Sequence, residues 1–219
     1  MRPRLMAALV LSLSLAACGR GAAQVRLAGD VWVPVRVLGV DGLEQPREAA
    51  NQLRYAMALV PAALFGVADR NTLKQLAAEQ TRIPLVTEDL TKWAAAGAQP
   101  WRAGADEKLQ ITPVDVRVAR IMTAAFSPEG ASRAGVGFHD LAQDTNLILV
   151  YVDRASSVVG ERTLGEPGAV QAAPSAPDAG VRLDLHFPAA GIYWVRTAPA
   201  QPIVVVAPAS PTLEVRTRE

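Results

Sequence analysis

Four short runs near the C-terminus constrain this chain most. Val181, Leu183, Leu185 and Phe187 alternate with Arg182, Asp184 and His186, and Ile192–Thr197, Ile203–Val206 and Leu213–Arg216 follow at short intervals, each bounded by Pro or Gly. A period of two places successive side chains on opposite faces of a strand, and close spacing with such punctuation predicts an antiparallel sandwich or barrel. Leu147–Val152 is apolar at every position, which predicts a central strand covered on both sides. Val114, Val116 and Val118 share one face against Asp115 and Arg117, and Val158-Val159 predicts a further short strand. Val31, Val33, Val35 and Val37 alternate in the same way. Pro34 interrupts them without a ladder donor, which places that strand at an edge or gives it a bulge.

Between these regions the period changes. Ala49, Leu53, Met57, Val60 and Leu64 recur at spacings of three and four, with Pro46 suited to a first helical turn and Pro61 to a kink. Asn71 suits the cap of a second helix carrying Leu73, Leu76 and Ala77. Thr87 begins a third, with Glu88 and Asp89 in its first turn and Gly97 just past its end. The expectation is an α+β fold: an antiparallel β-sandwich with a helical insertion near the N-terminus. The helical block spans 43–97 and the mainly β region 111–219, within one domain over 26–219. The span 164–180, rich in Gly, Pro and Ala, is expected to be a loop.

The start of the chain carries an address. Arg2 and Arg4 precede an apolar run, Leu5–Leu15, broken only by two serines, and too short for the roughly 20 residues of a bilayer-spanning helix. A cationic start, a short apolar core and small residues after it read as a secretory signal. Leu15-Ala16-Ala17-Cys18 resembles the bacterial lipobox, and Cys18 is the one cysteine in the chain. The resemblance implies cleavage before Cys18, a signal peptide over 1–17, a lipidated tether over 18–25, and a covalent lipid on Cys18 with no other cofactor. Gly19, where an aspartate favours inner-membrane retention, implies the cell outer membrane, with the domain facing the periplasm.

Removing residues 1–17 leaves 219 minus 17, or 202, residues. It takes away Arg2 and Arg4 and no acid, so 22 basic residues become 20 against 21 acidic ones. Such a balance gathers no polyanion, and nucleic acid is not an expected partner. With Cys18 lipidated, disulfides, cysteine zinc sites and thiol nucleophiles are excluded.

A second resemblance is local. Leu183-x-Leu185-x-Phe187, a turn ending in Gly191, and Tyr193 are similar to the E-to-F corner of immunoglobulin-like sandwiches. It implies that the Tyr193 hydroxyl bonds back to nearby backbone. The acidic residue usual two before the glycine is Ala189 here, and the inter-sheet cysteines are absent.

Catalytic patterns fail one by one. Gly130-Ala131-Ser132-Arg133-Ala134-Gly135 places its second glycine one position too late for a nucleophile elbow, although Ser132 and His139 leave a serine triad open. Gly135-Val136-Gly137 lacks the third glycine of a dinucleotide fingerprint. His139-Asp140, with Asp144 nearby, offers metal-type ligands that His186 could join, but zinc or copper needs three or four converging groups. No metal is assigned. Asp153 and Glu161 lie near strand ends as candidate carboxylates, and Asp153-Arg154 is suited to capping a sheet edge. Trp194, next to Tyr193, faces the opposite way. It is either an exposed anchor for a partner or packed under the helices. The candidate binding residues are therefore Trp194, His139, Asp140 and His186.

The expected function is a non-enzymatic, lipid-anchored envelope protein that presents a binding surface to an envelope protein partner. A lipoprotein binding a metal, sugar or lipid for transport is the alternative, and an envelope hydrolase the third reading.

Overall fold

The structure is a computed structural model. It describes residues 26–27, 31–45, 54–60, 72–76, 82–86, 88–103, 107–126, 134–162, 180–199 and 201–217. Among them are fourteen strands and one helix. In chain order these are β1 (Val31–Leu38), β2 (Arg54–Val60), β3 (Thr72–Leu76), β4 (Arg82–Val86), α1 (Glu88–Gly97), β5 (Gln99–Pro100), β6 (Lys108–Thr112) and β7 (Arg117–Phe126). Then come β8 (Ala134–Asp140), β9 (Thr145–Val152), β10 (Ser156–Arg162), β11 (Val181–Phe187), β12 (Gly191–Thr197), β13 (Ile203–Val206) and β14 (Pro211–Thr217).

The strands form one large mixed sheet in the order β4-β1-β14-β8-β9-β12-β13-β11-β10-β6. It forks at β9. The start of that strand pairs β8 through Leu147↔Phe138, while its far half pairs β7 from Leu149↔Ile121 to Val152↔Val118. β7 in turn pairs β2, which pairs β3. Most pairs are antiparallel, but β1 runs parallel to β14 and β11 parallel to β13. The expected purely antiparallel sheet is corrected to a mixed one. β1 and β14 come from opposite ends of the described chain, β11 reaches β13 by skipping over β12, and neither pairing is announced by a local turn signal.

The helical block over 43–97 is also corrected. Its described part holds three strands, and the single helix lies after them at 88–97. Residues 54–60 read Arg-Tyr-Ala-Met-Ala-Leu-Val, so nearly every position is apolar and either period fits. Pairing with β7 and β3 decides it, and Met57 and Leu59 face the core two residues apart. β4 buries Ile83 and Leu85 and presents Pro84 outward opposite Trp32. The remaining helical positions, among them Ala49, Leu53, Leu64 and Asn71, lie outside the described residues.

The predicted third helix is present as α1. Glu88 and Asp89 occupy its first turn, Glu88 pairs Lys92 one turn on at 2.6 Å, and Leu90 and Ala94 turn inward. Gly97 closes the helix from within, not from beyond it. A Cβ there would lie 2.1 Å from Cδ1 of buried Leu59.

Leu147–Val152 is the central strand its composition predicts. Leu147, Leu149 and Tyr151 enter one core while Val150 and Val152 enter a second on the opposite face. β12 does the same, sending Ile192 and Trp194 one way and Tyr193 and Val195 the other. The first core is completed by β1, β2, β4, α1, β7, β8 and β14. The second is completed by Trp101, Val116, Val118, Val158, β11 and β13. Pro34 sits where β1 changes partners: residues 31–34 pair β4 with a register shift at Val31/Trp32, and residues 35–38 pair β14. Val114, expected on a strand, occupies a turn and is exposed, while Val116 and Val118 are buried.

Candidate functional site

The strand ends gather into two clusters of turns. One end of the sheet holds the turn from β8 to β9 and the approaches to β13 and β14. Here Asp140 is 1 % exposed, and its carboxylate is taken up by backbone. Oδ1 accepts from Ala142 N at 3.1 Å and Ser210 N at 3.0 Å, and Oδ2 accepts from Ala209 N at 3.2 Å. Leu141 N also donates to Ser210 O at 3.1 Å. Asp140 is thus the clamp that ties this turn to the loop preceding β14, and no oxygen of it is presented outward as a ligand.

His139 precedes it on the outer face of β8, paired with Thr212 and Asn146. Its Nε2 donates to Asp144 Oδ1 at 3.0 Å, and Nδ1 faces Asn146 Oδ1 at 3.4 Å. Asp144 reaches the ring because it closes the turn in the left-handed region, at φ 51°. Its side chain is almost wholly exposed. Beside it, Leu141 is an exposed apolar residue at the turn's start.

His186 is elsewhere. It lies on the outward face of β11, exposed, with Nε2 2.9 Å from Asp184 Oδ1. Strands β9, β12 and β13 stand between β8 and β11, so the two histidines are about 19 Å apart across the sheet at ~4.8 Å per strand. They do not share a ligand. Among the described residues, no group of three or more His, Cys, Asp and Glu side chains is placed to hold a metal ion.

Trp194 is 2 % exposed and packs edge-on against Phe138, ring centroids 5.0 Å apart. It is a core residue, which corrects the exposed-anchor alternative. The reason is that β12 has a core on each of its faces. Alternation correctly sends Tyr193 and Trp194 to opposite faces, but both faces are covered.

Tyr193 makes the bond back to nearby backbone that was expected of it. Its hydroxyl donates to Ala189 O at 2.8 Å and accepts from Ala189 N at 3.3 Å, with Phe187 edge-on at 5.2 Å. Burial, then, holds its phenol pKa above the ordinary 10.0, opposed by the bond to Ala189 and the charge of Arg26.

The opposite end of the sheet joins three turns. Residues 113–116 follow β6, residues 153–155 follow β9, and residues 188–190 precede β12. Asp153 Oδ1 accepts from Arg117 N at 2.9 Å, and Arg154 bridges Asp153 at 2.9 Å and Asp115 at 3.0 Å. The capping role expected of Asp153-Arg154 is what this geometry provides. The pairing was invisible in sequence for Asp115, whose partner lies 39 residues on.

A ladder of charges on the outer face of β1 and β14 went unread as well. Glu214 is 7 % exposed and lies 3.7 Å from Arg36 and 3.2 Å from Arg216, while Arg36 also holds Glu44 at 3.1 Å. Its only sequence signal is the outward parity of these positions, which says nothing about which strands adjoin.

Cys18 and Ser132 lie outside the described residues. Among them, no helix is long and apolar enough to cross a membrane. No protein-family model, curated protein or solved structure matches this chain.

Proposed function

We propose that this chain is a lipid-anchored cell-envelope protein of the outer membrane that presents its β-rich domain to an envelope protein partner, without catalysing a reaction. The carrying observation is the leader: a cationic start and a short apolar run end at Leu15-Ala16-Ala17-Cys18. Among the residues considered for chemistry, Asp140 lends support by what occupies it. It is spent on three backbone N–H groups and is not free to serve as a ligand or base. The region around Tyr193 is in our reading an immunoglobulin-like sandwich portion of the sheet, on the strength of its corner.

Metabolic labelling with palmitate tests the anchor. Wild type is expected to incorporate label and Cys18→Ser to lose it, and a labelled Cys18→Ser chain refutes the anchor. Photo-crosslinking in intact cells tests the partner, with the reactive group placed at exposed Leu141, His186, Val40 and Val114 in turn. A protein adduct shared by neighbouring positions is expected. Adducts at none of the four would count against a partner.

A further inference from the structure

We propose that the tight turn Gly39–Gln45, which leaves the end of β1, is a preformed finger that seats Val40 and Leu43 in an apolar cleft of the envelope protein partner, where a lysine or arginine at the rim meets Asp41. This rests on the partner reading and names the surface that carries it.

Exposure marks the turn. Among the described residues five large apolar side chains stand exposed, and two of them, Val40 at 67 % and Leu43 at 66 %, fall here, three residues apart. Neither belongs to the core on either face of the sheet.

The turn is also held rigid. Gly42 N donates to Gly39 O at 2.9 Å, and Gly39 N donates to Leu43 O at 2.9 Å. Gln45 N donates to Val37 O at 2.8 Å, which ties the returning limb to β1. Asp41 Oδ1 accepts from Leu43 N at 3.0 Å, and Gln45 Nε2 donates to Leu43 O at 3.4 Å. Gly42 stands at φ +77°, and a Cβ on Gly39 would come within 2.7 Å of Asp41 Oδ1. Two glycines and two polar side chains thus fix the shape, and the side chains of Val40 and Leu43 add nothing to it. A partner meeting this turn has little to order, so the contact escapes the entropy that a loose loop would cost.

Charge selects the occupant. Glu44 pairs Arg36 at 3.1 Å, and Arg36 also reaches Glu214. Among the described residues Asp41 makes no ion pair, and residues 39–45 contain no lysine or arginine. An unpaired carboxylate between two apolar side chains is repelled by anionic headgroups and costly in hydrocarbon, which disfavours a bilayer. A protein cleft with a cation opposite Asp41 satisfies all three side chains.

The test places a benzophenone amino acid at position 40, 43, 114, 141 or 186 of the full-length chain in intact cells. The same protein adduct is expected at 40 and 43, its crosslinked side chain mapped by mass spectrometry to an apolar cleft with Lys or Arg at the rim. The adduct at 40 should fall severalfold in Leu43→Asp, which puts an unpaired charge into the cleft. It should fall likewise in Asp41→Asn, which keeps the acceptor for Leu43 N and removes the charge. Gly42→Val should lower it too. A Cβ there meets nothing within 4 Å, so that change strains the backbone alone and leaves both apolar side chains exposed. All three positions are exposed, and circular dichroism checks that each variant is folded before yields are compared. Undiminished yield in the folded variants overturns the finger. So does an adduct of twice the chain's mass, which makes a second copy the occupant, and so do lipid adducts, which make it the bilayer. Protein adducts at 114, 141 or 186 but not at 40 and 43 overturn the finger and leave the partner reading standing. Adducts at none of the five positions overturn both.

Discussion

The two cores lie back to back on the same strands, yet they are assembled from very different distances along the chain. The core containing Tyr193 draws on residues 101–205 and on hairpin neighbours such as β10 with β11 and β12 with β13. The core containing Trp194 draws on residues 33–215 and depends on β1 lying parallel to β14. Each has one edge-to-face aromatic pair, Phe187 on Tyr193 and Phe138 on Trp194. Local contacts cost little loop-closure entropy, whereas joining the two chain ends costs more before it is rewarded. The comparison teaches that one sheet can carry a part that nucleates locally and a part that waits for the rest of the chain.

Removing the largest side chain of the distant core gives the strongest test. Trp194→Ala should cost about 3–5 kcal/mol, the range for a buried aromatic truncated to alanine. Because β9 and β12 serve both cores, denaturant unfolding is expected to remain a single transition for wild type and variant alike. Two separated transitions would break the picture of cores coupled through shared strands.

On the side of the Tyr193 core, Gly160→Ala should follow, at about 3 kcal/mol. Gly160 has φ +142°, and a Cβ there would stand 2.0 Å from the carbonyl oxygen of Lys108 on the paired strand β6. Backbone strain and a backbone clash coincide, and neither is relieved by a side-chain rotation. An unchanged thermal midpoint would show that β6 and β10 are not held as described.

Asp140→Ala should cost about 2–3 kcal/mol, since three backbone donors lose a buried, charged acceptor. Its effect sharpens the comparison. Hydrogen exchange should speed up chiefly in β8 and β14, leaving β10 and β11 protected. Uniform acceleration would mean the clamp acts on the whole sheet.

The same contrast explains what the sequence made legible. Strand β11 is visible by its alternation, and β9, β12, β13 and β14 by short β-branched or aromatic runs closed off by nearby turn residues such as Gly and Pro. β2 is not, because Tyr55 to Val60 satisfies both periods and its partners on β7 lie 60 to 70 residues on. Tyr193 could be placed from a local pattern of eleven residues. Trp194 could not, because whether the other face is covered depends on β1, β4 and β14 coming together. Of the candidate residues, His139 and Asp140 do lie together with Asp144, as their spacing allows, but the Ala209-Ser210 backbone that claims Asp140 is 69 and 70 residues away.

The smallest effect belongs to the corner. Tyr193→Phe keeps the ring against Phe187 and removes only the hydroxyl bonded to Ala189, so about 1 kcal/mol is expected. Its pH dependence is more telling than its size. Burial raises the Tyr193 pKa in the folded chain, so the unfolded chain ionises first as pH climbs. Its neutral-form stability is complete below the ordinary phenol value of 10.0 and is lost as pH rises from there through the folded value. Tyr151, raised by burial and by Asp153, adds to the same loss from the face of the other core. Unfolding measured from pH 8 upward should therefore fall less steeply in Tyr193→Phe than in wild type, while retaining the part due to Tyr151. A variant whose alkaline slope matches wild type would mean that Tyr193 is not desolvated, and that the second face of β12 is open to water.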